Sequence, residues 1–229
     1  MASLFDARFT LVDIGAAGGA HPRWGAFGNI EIVGFEPFEA EFRKLKNSKN
    51  RRWLNIGLHQ DPGTYPLHIT RYPTNVSLLE PNRDVLSNLQ FPIEDFDVLR
   101  SVPIPCDSLD NVCREHGLRP HALKIDTQGS ELFILRGARR TLETSVFSVE
   151  VEVEFIPAYK NQPLFHEVHD FLTSTGFLLM DLGNRLHVKG RQAEGLGGPK
   201  SHWVTADALY FKALGPLERS LSSKDASLE

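Results

Sequence analysis

The sequence predicts an α/β fold in which helices cover both faces of a doubly wound, mostly parallel sheet. Two apolar runs near the start of the chain, Phe9 to Asp13 and Glu31 to Glu36, each end in an acid. A third run of the same kind, Ala122 to Asp126, lies in the second half. Strands that are buried on both faces read as continuous apolar sequence rather than as strict alternation. The acids therefore fall at the carboxyl ends of parallel strands, where open α/β sheets bind their ligands.

Length and composition favour a single domain. The chain has 229 residues, of which 41% are hydrophobic, and no shift in composition marks a second unit. We therefore expect one domain over residues 1–214. The segment 215–229 is rich in serine and charge and has too few apolar groups to offset the entropy of ordering it, so we expect a disordered tail.

Charge and cysteine content narrow the function classes. The formal net charge is -4 and the pI is near 6.1, so no global field favours nucleic acid or an anionic membrane. Cys106 and Cys113 lack the spacing of a metal site or of a disulfide framework and are expected to be buried thiols. No run approaches the ~18 apolar residues of a membrane span, and the first residues do not resemble a leader. These features predict a cytoplasmic protein that acts on a small molecule without a metal.

The turn after the first run is rich in glycine and has the spacing Asp-x-Gly-x-x-x-Gly, from Asp13 to Gly19. Glycine lets a backbone approach a ligand without interference from a Cβ atom. Glu36, one strand over, is placed to accept both hydroxyls of a ribose. The spacing differs from the Gly-x-Gly-x-x-Gly of dinucleotide enzymes. It is similar to the common pattern of S-adenosylmethionine-dependent methyltransferases.

The segments between residues 21 and 70 are predicted to form short helices and strands. Glycines and a proline between His21 and Phe27 allow at most a short helix. Apolar residues recur at helical spacing from Pro37 to Leu45, and acids precede bases along this segment, which predicts a helix. Trp53 to Leu58 is a predicted third strand, and Tyr65 to Thr70 is a fourth extended segment.

From Tyr72 to Val102, prolines, asparagines and acids interrupt every periodic pattern. A loop of this length inside a compact domain is usually functional or disordered. Apolar islands within it, at Asn75 to Leu78 and Phe91 to Phe96, favour an ordered structure. We therefore predict that residues 72–102 form a cap insertion over the ligand-binding edge.

The most informative run of the second half is Leu-Lys-Ile-Asp-Thr-Gln-Gly-Ser-Glu at residues 123–131. It reads as a buried strand, a carboxylate at the strand's end, a polar turn and the start of a helix. A helix that carries Leu109, Val112 and Cys113 precedes this run and is expected to end at Gly117. A strand next to the first one would bring Asp126 beside the glycine turn.

Together with Val-Asp-Ile-Gly-Ala at 12–16, Gly-Phe-Glu-Pro at 34–37 and Leu-Arg-Gly-Ala at 135–138, this run resembles the FkbM family of methyltransferases. The resemblance extends from about Val12 to Phe177. It implies a class I methyltransferase fold, which is a Rossmann-like sheet of seven strands with an antiparallel last strand. It also implies that the cofactor is S-adenosyl-L-methionine. The methyl acceptor that it implies is a hydroxyl oxygen of a sugar or a secondary metabolite.

Several residues are expected to hold that cofactor. Asp13 would brace the glycine turn or meet the amino group of the cofactor, and Glu36 would bind the ribose. The end of the third strand would lie near the adenine. The predicted cofactor-binding residues are Asp13, Gly15, Ala16, Gly18, Gly19, Glu36, Pro37, Asn55, Ile56 and Gly57.

The catalytic residues are predicted from what methyl transfer requires. Transfer from a sulfonium is an in-line displacement, so the protein must position the acceptor oxygen and remove its proton. Asp126 is the first choice for this role, although it could instead bond the backbone amides of its own turn. His21, just past the glycines, is the next candidate base. Glu131 is expected to stabilise the N-terminus of its helix.

A third catalytic candidate lies in the run from Ser145 to Phe155, which alternates and carries its glutamates on one face. A strand covered on both faces should not alternate in this way. Either the strand is partly exposed and its glutamates pair with bases such as Arg139, or its last glutamates face the active-site cleft. Pairing is preferred for Glu150, and both alternatives stay open for Glu152 and Glu154. Glu152 is thus a candidate catalytic residue.

The remaining segments complete the predicted fold. A helix is expected from Leu164 to Leu172, followed by two extended segments around a turn at Gly183-Asn184. A last strand is predicted from Asp207 to Lys212. The glycine-rich segment 190–205 between them is either a mobile flap or a long hairpin connection.

Two other functions remain open beside methyl transfer to a small molecule. A cofactor-binding protein without its own catalysis would keep residues 13–36 but show no turnover with any acceptor. A nucleotide-dependent oxidoreductase could use a similar sheet, although the glycine spacing speaks against it.

Overall fold

The structure is a computed structural model that describes residues 9–21, 24, 29–191 and 201–213. These residues form two sheets and a set of short helices. The strands are β1 (Phe9–Ile14), β2 (Ile30–Phe35), β3 (Arg51–Leu54), β4 (Gly57–Leu58), β5 (Gly63–Thr70), β6 (Val98–Asp107), β7 (Ala122–Ile125), β8 (Ser148–Glu154), β9 (Phe177–Val188) and β10 (His202–Lys212). The helices are α1 (Glu39–Phe42), α2 (Arg83–Leu86), α3 (Leu109–His116), α4 (Glu131–Arg136), α5 (Arg139–Thr144) and α6 (Phe165–Ser174).

The larger sheet has seven strands in the order β3-β2-β1-β7-β8-β10-β9. Its strands are parallel except for β10, which runs antiparallel to both β8 and β9. The predicted mostly parallel sheet with an antiparallel last strand is therefore confirmed. The chain leaves β1 toward β2 on one side, and β7 lies on the other. Such a change of direction opens a crevice at the carboxyl ends of the strands.

Two apolar layers cover the faces of this sheet. On one face, alternate strand residues such as Val12 pack with residues of α3, α4, α5 and α6, such as Leu135, in one buried cluster. On the other face, a smaller cluster joins Leu11 and Trp53 to the partly buried Phe42 of α1. Helices thus pack on both faces, as predicted.

Helix α3 shows how local sequence sets the ends of an element. Ser108 caps its N-terminus, because the Ser108 hydroxyl accepts a hydrogen bond of 3.2 Å from the backbone N–H of Asn111. Gly117 ends the helix with a left-handed φ of 61°. Leu109 and Val112 are buried on the helix face that meets the sheet. Each such side chain stabilises the fold by roughly 1.5–3 kcal/mol.

The predicted third strand is divided between the two sheets. Strand β3 ends at Leu54 in the large sheet, and β4 begins at Gly57 in a three-stranded sheet with the order β4-β6-β5. The break occurs at Asn55, whose side-chain amide donates to the carbonyl oxygen of Glu36 at 2.8 Å. The apolar residues run on across this break, so the pattern did not reveal it.

The helix predicted from Pro37 to Leu45 is also shorter than expected, because α1 has only four residues. After Phe42 the chain tightens. Lys44 and Leu45 donate their backbone N–H groups to the carbonyls three residues earlier rather than four.

Near the end of the chain, the two predicted extended segments are one strand, β9. The predicted turn is a bulge, because Asn184 has a φ of 43° and the register to β10 shifts between Thr205 and Asp207. The prediction of a turn at Gly183-Asn184 was therefore wrong. The same residues instead bend a continuous strand.

Residues 71–97 connect β5 to β6, and we call them the cap. They contain α2 and two 3₁₀ turns, Pro73–Asn75 and Ile93–Phe96. Residues 98–102 of the predicted cap insertion belong to β6. Phe96 of the cap packs with Tyr159, which lies after β8, in a buried cluster. Of the segment 190–205, residues 192–200 lie outside the described residues, as does the predicted tail 215–229.

Within the described part of the chain, every helix is too short or too polar to cross a membrane.

Candidate active site

The carboxyl ends of β1, β2 and β7 border a cavity of about 210 Å³, and β4, β5 and the cap line its other side. The cavity lies at the change of strand direction, where the fold is expected to bind its ligand. Its lining from the large sheet and the following turns includes Ile14, Gly15, Ala17, Phe35, Glu36, Pro37, Phe38, Lys124, Asp126, Thr127 and Gln128. The small sheet, Ile56 just before β4, and the cap also contribute to the lining. Their residues are Ile56, Gly57, Leu58, Leu67, Thr74, Val76, Ser77 and Leu78.

Gly15 lets the turn after β1 pass directly against β7. Its φ is 80°, and a Cβ atom at this position would lie 1.8 Å from the carbonyl oxygen of Asp126. The backbone N–H groups of Gly15 and Ala16 both donate to the carbonyl of Phe35, at 3.1 and 3.0 Å. The turn is thus fixed to the strands on both of its sides, and Gly15 forms part of the cavity wall.

Three other residues predicted to contact the cofactor lie away from this cavity. Ala16 is buried in the cluster around Trp53, on the side of the turn that faces away from the cavity. A Cβ at Gly19 would face Leu45 and Trp53, and one at Gly18 would have no atom within 4 Å. Ala17, which was not predicted, lines the cavity instead.

Glu36 follows β2 and is only 5% exposed. Its Oε1 accepts a hydrogen bond of 2.8 Å from the backbone N–H of Phe38. Burial raises the pKa of Glu36 to about 7, against the opposing effect of the Phe38 N–H. A carboxylate has about four acceptor positions. Glu36 therefore keeps the capacity to accept hydroxyl groups of a ligand.

The other predicted residues near Glu36 divide into two groups. Pro37, Ile56 and Gly57 line the cavity. Asn55 does not line it. Its amide donates to the carbonyls of Glu36 and Pro37 at 2.8 and 3.2 Å, so it supports the turn that carries the acid.

Asp126 lies immediately after β7 and lines the cavity. Its Oδ2 is 3.2 Å from Nζ of Lys124, and its Oδ1 accepts a hydrogen bond of 3.1 Å from Nε2 of Gln128. The backbone N–H of Asp126 donates to the carbonyl of Ile14 at 3.0 Å, which brings it beside the glycine turn as the sequence predicted.

Residues 127–130 form the turn between β7 and α4, which we call the signature turn. Glu131, rather than Asp126, bonds its amides. Its Oε1 accepts from the backbone N–H groups of Thr127 and Gly129, at 2.7 and 3.2 Å. The alternative in which Asp126 bonds the amides of its own turn is therefore wrong. The carboxylate of Asp126 is held by side chains and faces the cavity.

Gln128 connects Asp126 to Glu152, which does not line the cavity itself. Nε2 of Gln128 donates to Oε2 of Glu152 at 2.7 Å as well as to Asp126. The hydroxyl of Tyr159 donates to Oε1 of Gln128 at 3.3 Å. Burial, and then the charges of Asp126 and Glu131, raise the pKa of Glu152 well above its usual range. Glu152 thus lies behind Asp126 in the same hydrogen-bond network.

The alternation of β8 follows from this position. Val149, Val151 and Val153 belong to the main apolar cluster. The glutamates of β8 lie on the opposite face of the sheet, the same face as Lys124 of β7. Carboxylate oxygens of Glu131, Glu152 and Glu154 lie within 4.8 Å of one another. Burial, followed by the charges of Glu131 and Glu152, raises the pKa of Glu154. The carboxylate of Glu152 bonds Gln128 behind Asp126 and does not itself line the cavity, so its catalytic role stays a prediction.

His21 and Asp13 do not reach the cavity. His21 is exposed and is not part of the lining. Asp13 is buried beneath the glycine turn, with its Oδ1 3.8 Å from Nζ of Lys124. The bracing role of Asp13 stays a prediction.

Sequence reasoning missed several lining residues. Lys124 belongs to the run at residues 123–131. It could have been predicted, because it lies two residues before Asp126 and therefore on the same face of the strand. Leu67, Val76 and Ser77 come from the second sheet and the cap. Their approach to the cavity depends on long-range packing that no local pattern reports.

Residues 13–179 match the family described as the methyltransferase FkbM domain. The crystal structure of methyltransferase FkbM from Methylobacillus flagellatus KT is similar, with a TM-score of 0.50 and 16% identity. The match covers 92% of this chain and 46% of that chain, so this chain spans less than half the length of that protein. At this identity the likeness concerns the fold.

A second similar structure is magnesium protoporphyrin IX methyltransferase from Synechocystis PCC 6803, which was solved with bound S-adenosylmethionine. It has a TM-score of 0.45 and 8% identity, and the match covers 90% of this chain and 71% of that chain. Comparison with curated proteins gave no match.

The family match runs through the glycine turn, Glu36, the cap and the signature turn with Asp126. The strand order and the antiparallel β10 agree with the class I methyltransferase fold. The chain therefore belongs to the methyltransferase FkbM domain family.

Proposed function

We propose that this protein transfers a methyl group from S-adenosylmethionine to a hydroxyl oxygen of a small molecule. One observation carries the proposal: a single cavity joins Glu36, a buried carboxyl group, to Asp126, a carboxylate held in place by two side chains. The cap lines the same cavity, which supports an acceptor small enough to be enclosed.

The lining residues fit the proposed cofactor. Gly15 lets the turn lie against the carbonyl of Asp126 and forms part of the cavity wall, and Glu36 offers acceptor positions for the two ribose hydroxyls. Phe38, Ile56 and Leu67 provide apolar contacts for the adenine beside that ribose. When bound, S-adenosylmethionine supplies an electrophilic methyl group on a sulfonium.

Asp126 is the residue we assign to the proton of the acceptor hydroxyl. Each of its two carboxylate oxygens bonds one neighbouring side chain, so each keeps a further acceptor position. Lys124 and Gln128 hold the carboxylate in one orientation. A base positioned in this way typically contributes a hundred- to ten-thousandfold to a rate.

The cap supplies the wall opposite Asp126. Thr74, Val76, Ser77 and Leu78 line the cavity, and the Ser77 hydroxyl donates to the carbonyl of Gln128 at 2.7 Å. The cap is thus attached to the signature turn. We assign these cap residues to exclusion of water and to selection of the acceptor.

The experiment is to incubate the protein with S-adenosylmethionine labelled with ¹³C in the methyl group, together with a small-molecule extract of its host. We expect a labelled product whose methyl carbon resonates as an O-methyl group. Asp126→Asn keeps the size of the side chain and removes the carboxylate, so it should bind S-adenosylhomocysteine but form at most a hundredth of the product.

Other outcomes would contradict the proposal in distinct ways. Label on nitrogen or carbon would reject the hydroxyl acceptor. Binding of S-adenosylhomocysteine without any labelled product would favour a binding protein without catalysis. A larger thermal stabilisation by NAD than by S-adenosylhomocysteine would favour the oxidoreductase.

A further inference from the structure

The wall of the cavity contains one cation among several acids. Among the described residues that line it, Lys124 is the one basic side chain, and Glu36, Glu41 and Asp126 are the acids. A lysine at a largely buried position is costly unless its ammonium is paired. Its presence in this wall therefore needs a partner, and two are visible in the protein.

The ammonium of Lys124 lies between two carboxylates. Its Nζ is 3.2 Å from Oδ2 of Asp126 and 3.8 Å from Oδ1 of Asp13, the residue beside it in register on β1. Burial works against the charged form, but Asp126 and Asp13 outweigh it and raise the pKa of Lys124. An ammonium has three donors. One donates to Asp126, and the contact with Asp13 at 3.8 Å is an ion pair beyond hydrogen-bond distance, so donor capacity remains for a ligand.

Lys124 and Glu36 mark the two ends of the ligand-binding edge. They belong to the strands on either side of β1, and neighbouring strands lie about 4.8 Å apart, so roughly 10 Å separates them along this edge. The Glu36 end presents an acceptor that suits a diol. The Lys124 end presents an ammonium donor, which suits an anionic group.

The proposed cofactor has such a group on the side of the ribose that carries its sulfur. We propose that Lys124 binds the carboxylate at the methionine end of S-adenosylmethionine. This assignment rests on the proposed function, because it takes the cofactor as given. The competing explanation is that Lys124 only compensates the buried charge of Asp13.

The test compares S-adenosylhomocysteine with its decarboxylated analogue, which differs from it only by the carboxylate, in titration calorimetry. In the wild-type protein, we expect the analogue to bind about 10- to 100-fold more weakly, which corresponds to one lost hydrogen bond to a charged group. Lys124→Met keeps the length of the side chain and removes the charge. It should weaken binding of S-adenosylhomocysteine by a similar factor and bind the two ligands almost equally. Lys124→Arg should recover part of the preference.

The matched control is Lys160→Met, which removes an exposed lysine that pairs with Glu80 outside the cavity lining. It should keep the wild-type preference. A wild-type protein that binds both ligands equally would overturn the assignment of Lys124 without any variant, so the test does not depend on how well Lys124→Met folds. A preference that persists in Lys124→Met would also overturn it. A wild-type protein that binds neither ligand would instead reject the proposed cofactor itself.

Discussion

At the scale of single residues, Gly15 and Gly18 show two different reasons for a glycine in the same turn, namely a positive φ and close contact with a neighbouring backbone. Both have positive φ angles, 80° and 77°, but a Cβ at Gly15 would lie 1.8 Å from the carbonyl of Asp126, whereas one at Gly18 would have no atom within 4 Å. Alanine at either position strains the backbone. At position 15 it must also push the turn away from β7.

We expect Gly15→Ala to lower the free energy of unfolding by about 1–3 kcal/mol more than Gly18→Ala does, which is the usual cost of overpacking. It should also remove detectable binding of S-adenosylhomocysteine. Urea denaturation and calorimetry on the two variants test this. Equal losses in both would mean that contact with β7 does not constrain the turn.

The pKa of Glu36 makes both stability and ligand binding depend on pH. Burial raises this pKa from 4.5 to about 7, so between these values the folded protein binds a proton that the unfolded chain releases. Without ligand, the contribution of Glu36 to the free energy of unfolding therefore falls as the pH rises from about 4.5 to about 7. The loss is at most roughly 3 kcal/mol.

Ligand binding should respond in the opposite direction. An ionised carboxylate accepts two ribose hydroxyls better than a protonated one, so affinity for S-adenosylhomocysteine should decrease as the pH falls below about 7. Calorimetry one pH unit below and one above that value measures the change. Glu36→Gln should bind weakly at both, and a wild-type affinity that is the same at both would reject the assignment of Glu36 to the ribose.

At the scale of elements, the cap is attached to the signature turn through Tyr159. The Tyr159 hydroxyl lies within hydrogen-bond distance of two acceptors, the carbonyl of Asn75 at 3.2 Å and Oε1 of Gln128 at 3.3 Å, which share its single proton. Burial, and then the charges of Glu154 and Glu152, raise the pKa of Tyr159, so the hydroxyl keeps its proton. One phenol thus links a cap residue to the side chain that holds Asp126.

We expect Tyr159→Phe to speed amide hydrogen exchange in the 3₁₀ turn Pro73–Asn75 by roughly 2- to 10-fold, because a hydrogen bond contributes about 0.5–1.5 kcal/mol. Exchange in α3 should not change. Tyr72→Phe is the matched control, since Tyr72 also belongs to the cap but is 52% exposed. Unchanged exchange in the cap would show that this hydroxyl does not hold it.

The elements that could be predicted from sequence are those with a local cause. Strands β1, β2 and β7 are continuous apolar runs that end near acids, and α3 has a cap residue and a terminal glycine. The break at Asn55 and the bulge at Asn184 have tertiary causes, namely a side-chain bond to the next turn and pairing with β10. Their sequences resemble an ordinary strand and an ordinary turn.

The same distinction applies to the site. Gly15, Glu36 and Asp126 follow strands of the large sheet, and their meeting at one edge follows from the parallel topology alone. Leu67 and Ser77 reach the cavity only because a second sheet and a cap fold over it. The topology also leaves His21 exposed, although its position after the glycines suggested a base.

At the scale of the whole molecule, buried acids at the site should make the protein more stable in mildly acidic solution. The pKa values of Glu131, Glu152 and Glu154 are all raised, chiefly by burial. The folded protein therefore binds more protons at these groups than the unfolded chain does. Their contribution to the free energy of unfolding falls as the pH rises above 4.5, the usual value for a glutamate.

We expect Glu154→Gln to raise the Tm, and to raise it more at alkaline pH than near pH 5, because glutamine resembles the protonated acid. Each kcal/mol gained should shift the Tm by about 2–4 °C in a chain of this size. Scanning calorimetry at several pH values is the measurement. Glu150→Gln, on the same strand but outside the cluster, is the control. A gain that does not vary with pH would contradict this account.

Strand β10 hydrogen-bonds to β8 on one side and to β9 on the other, although it follows both in the chain. During folding, β9 has no partner in the large sheet until β10 arrives, and β8 keeps an unpaired edge next to its buried valines. Open edges of this kind recruit strands from other molecules. The yield of refolding at high protein concentration should therefore depend on how quickly β10 inserts between β8 and β9. Variants that weaken β10 should aggregate even though every residue of the site is unchanged.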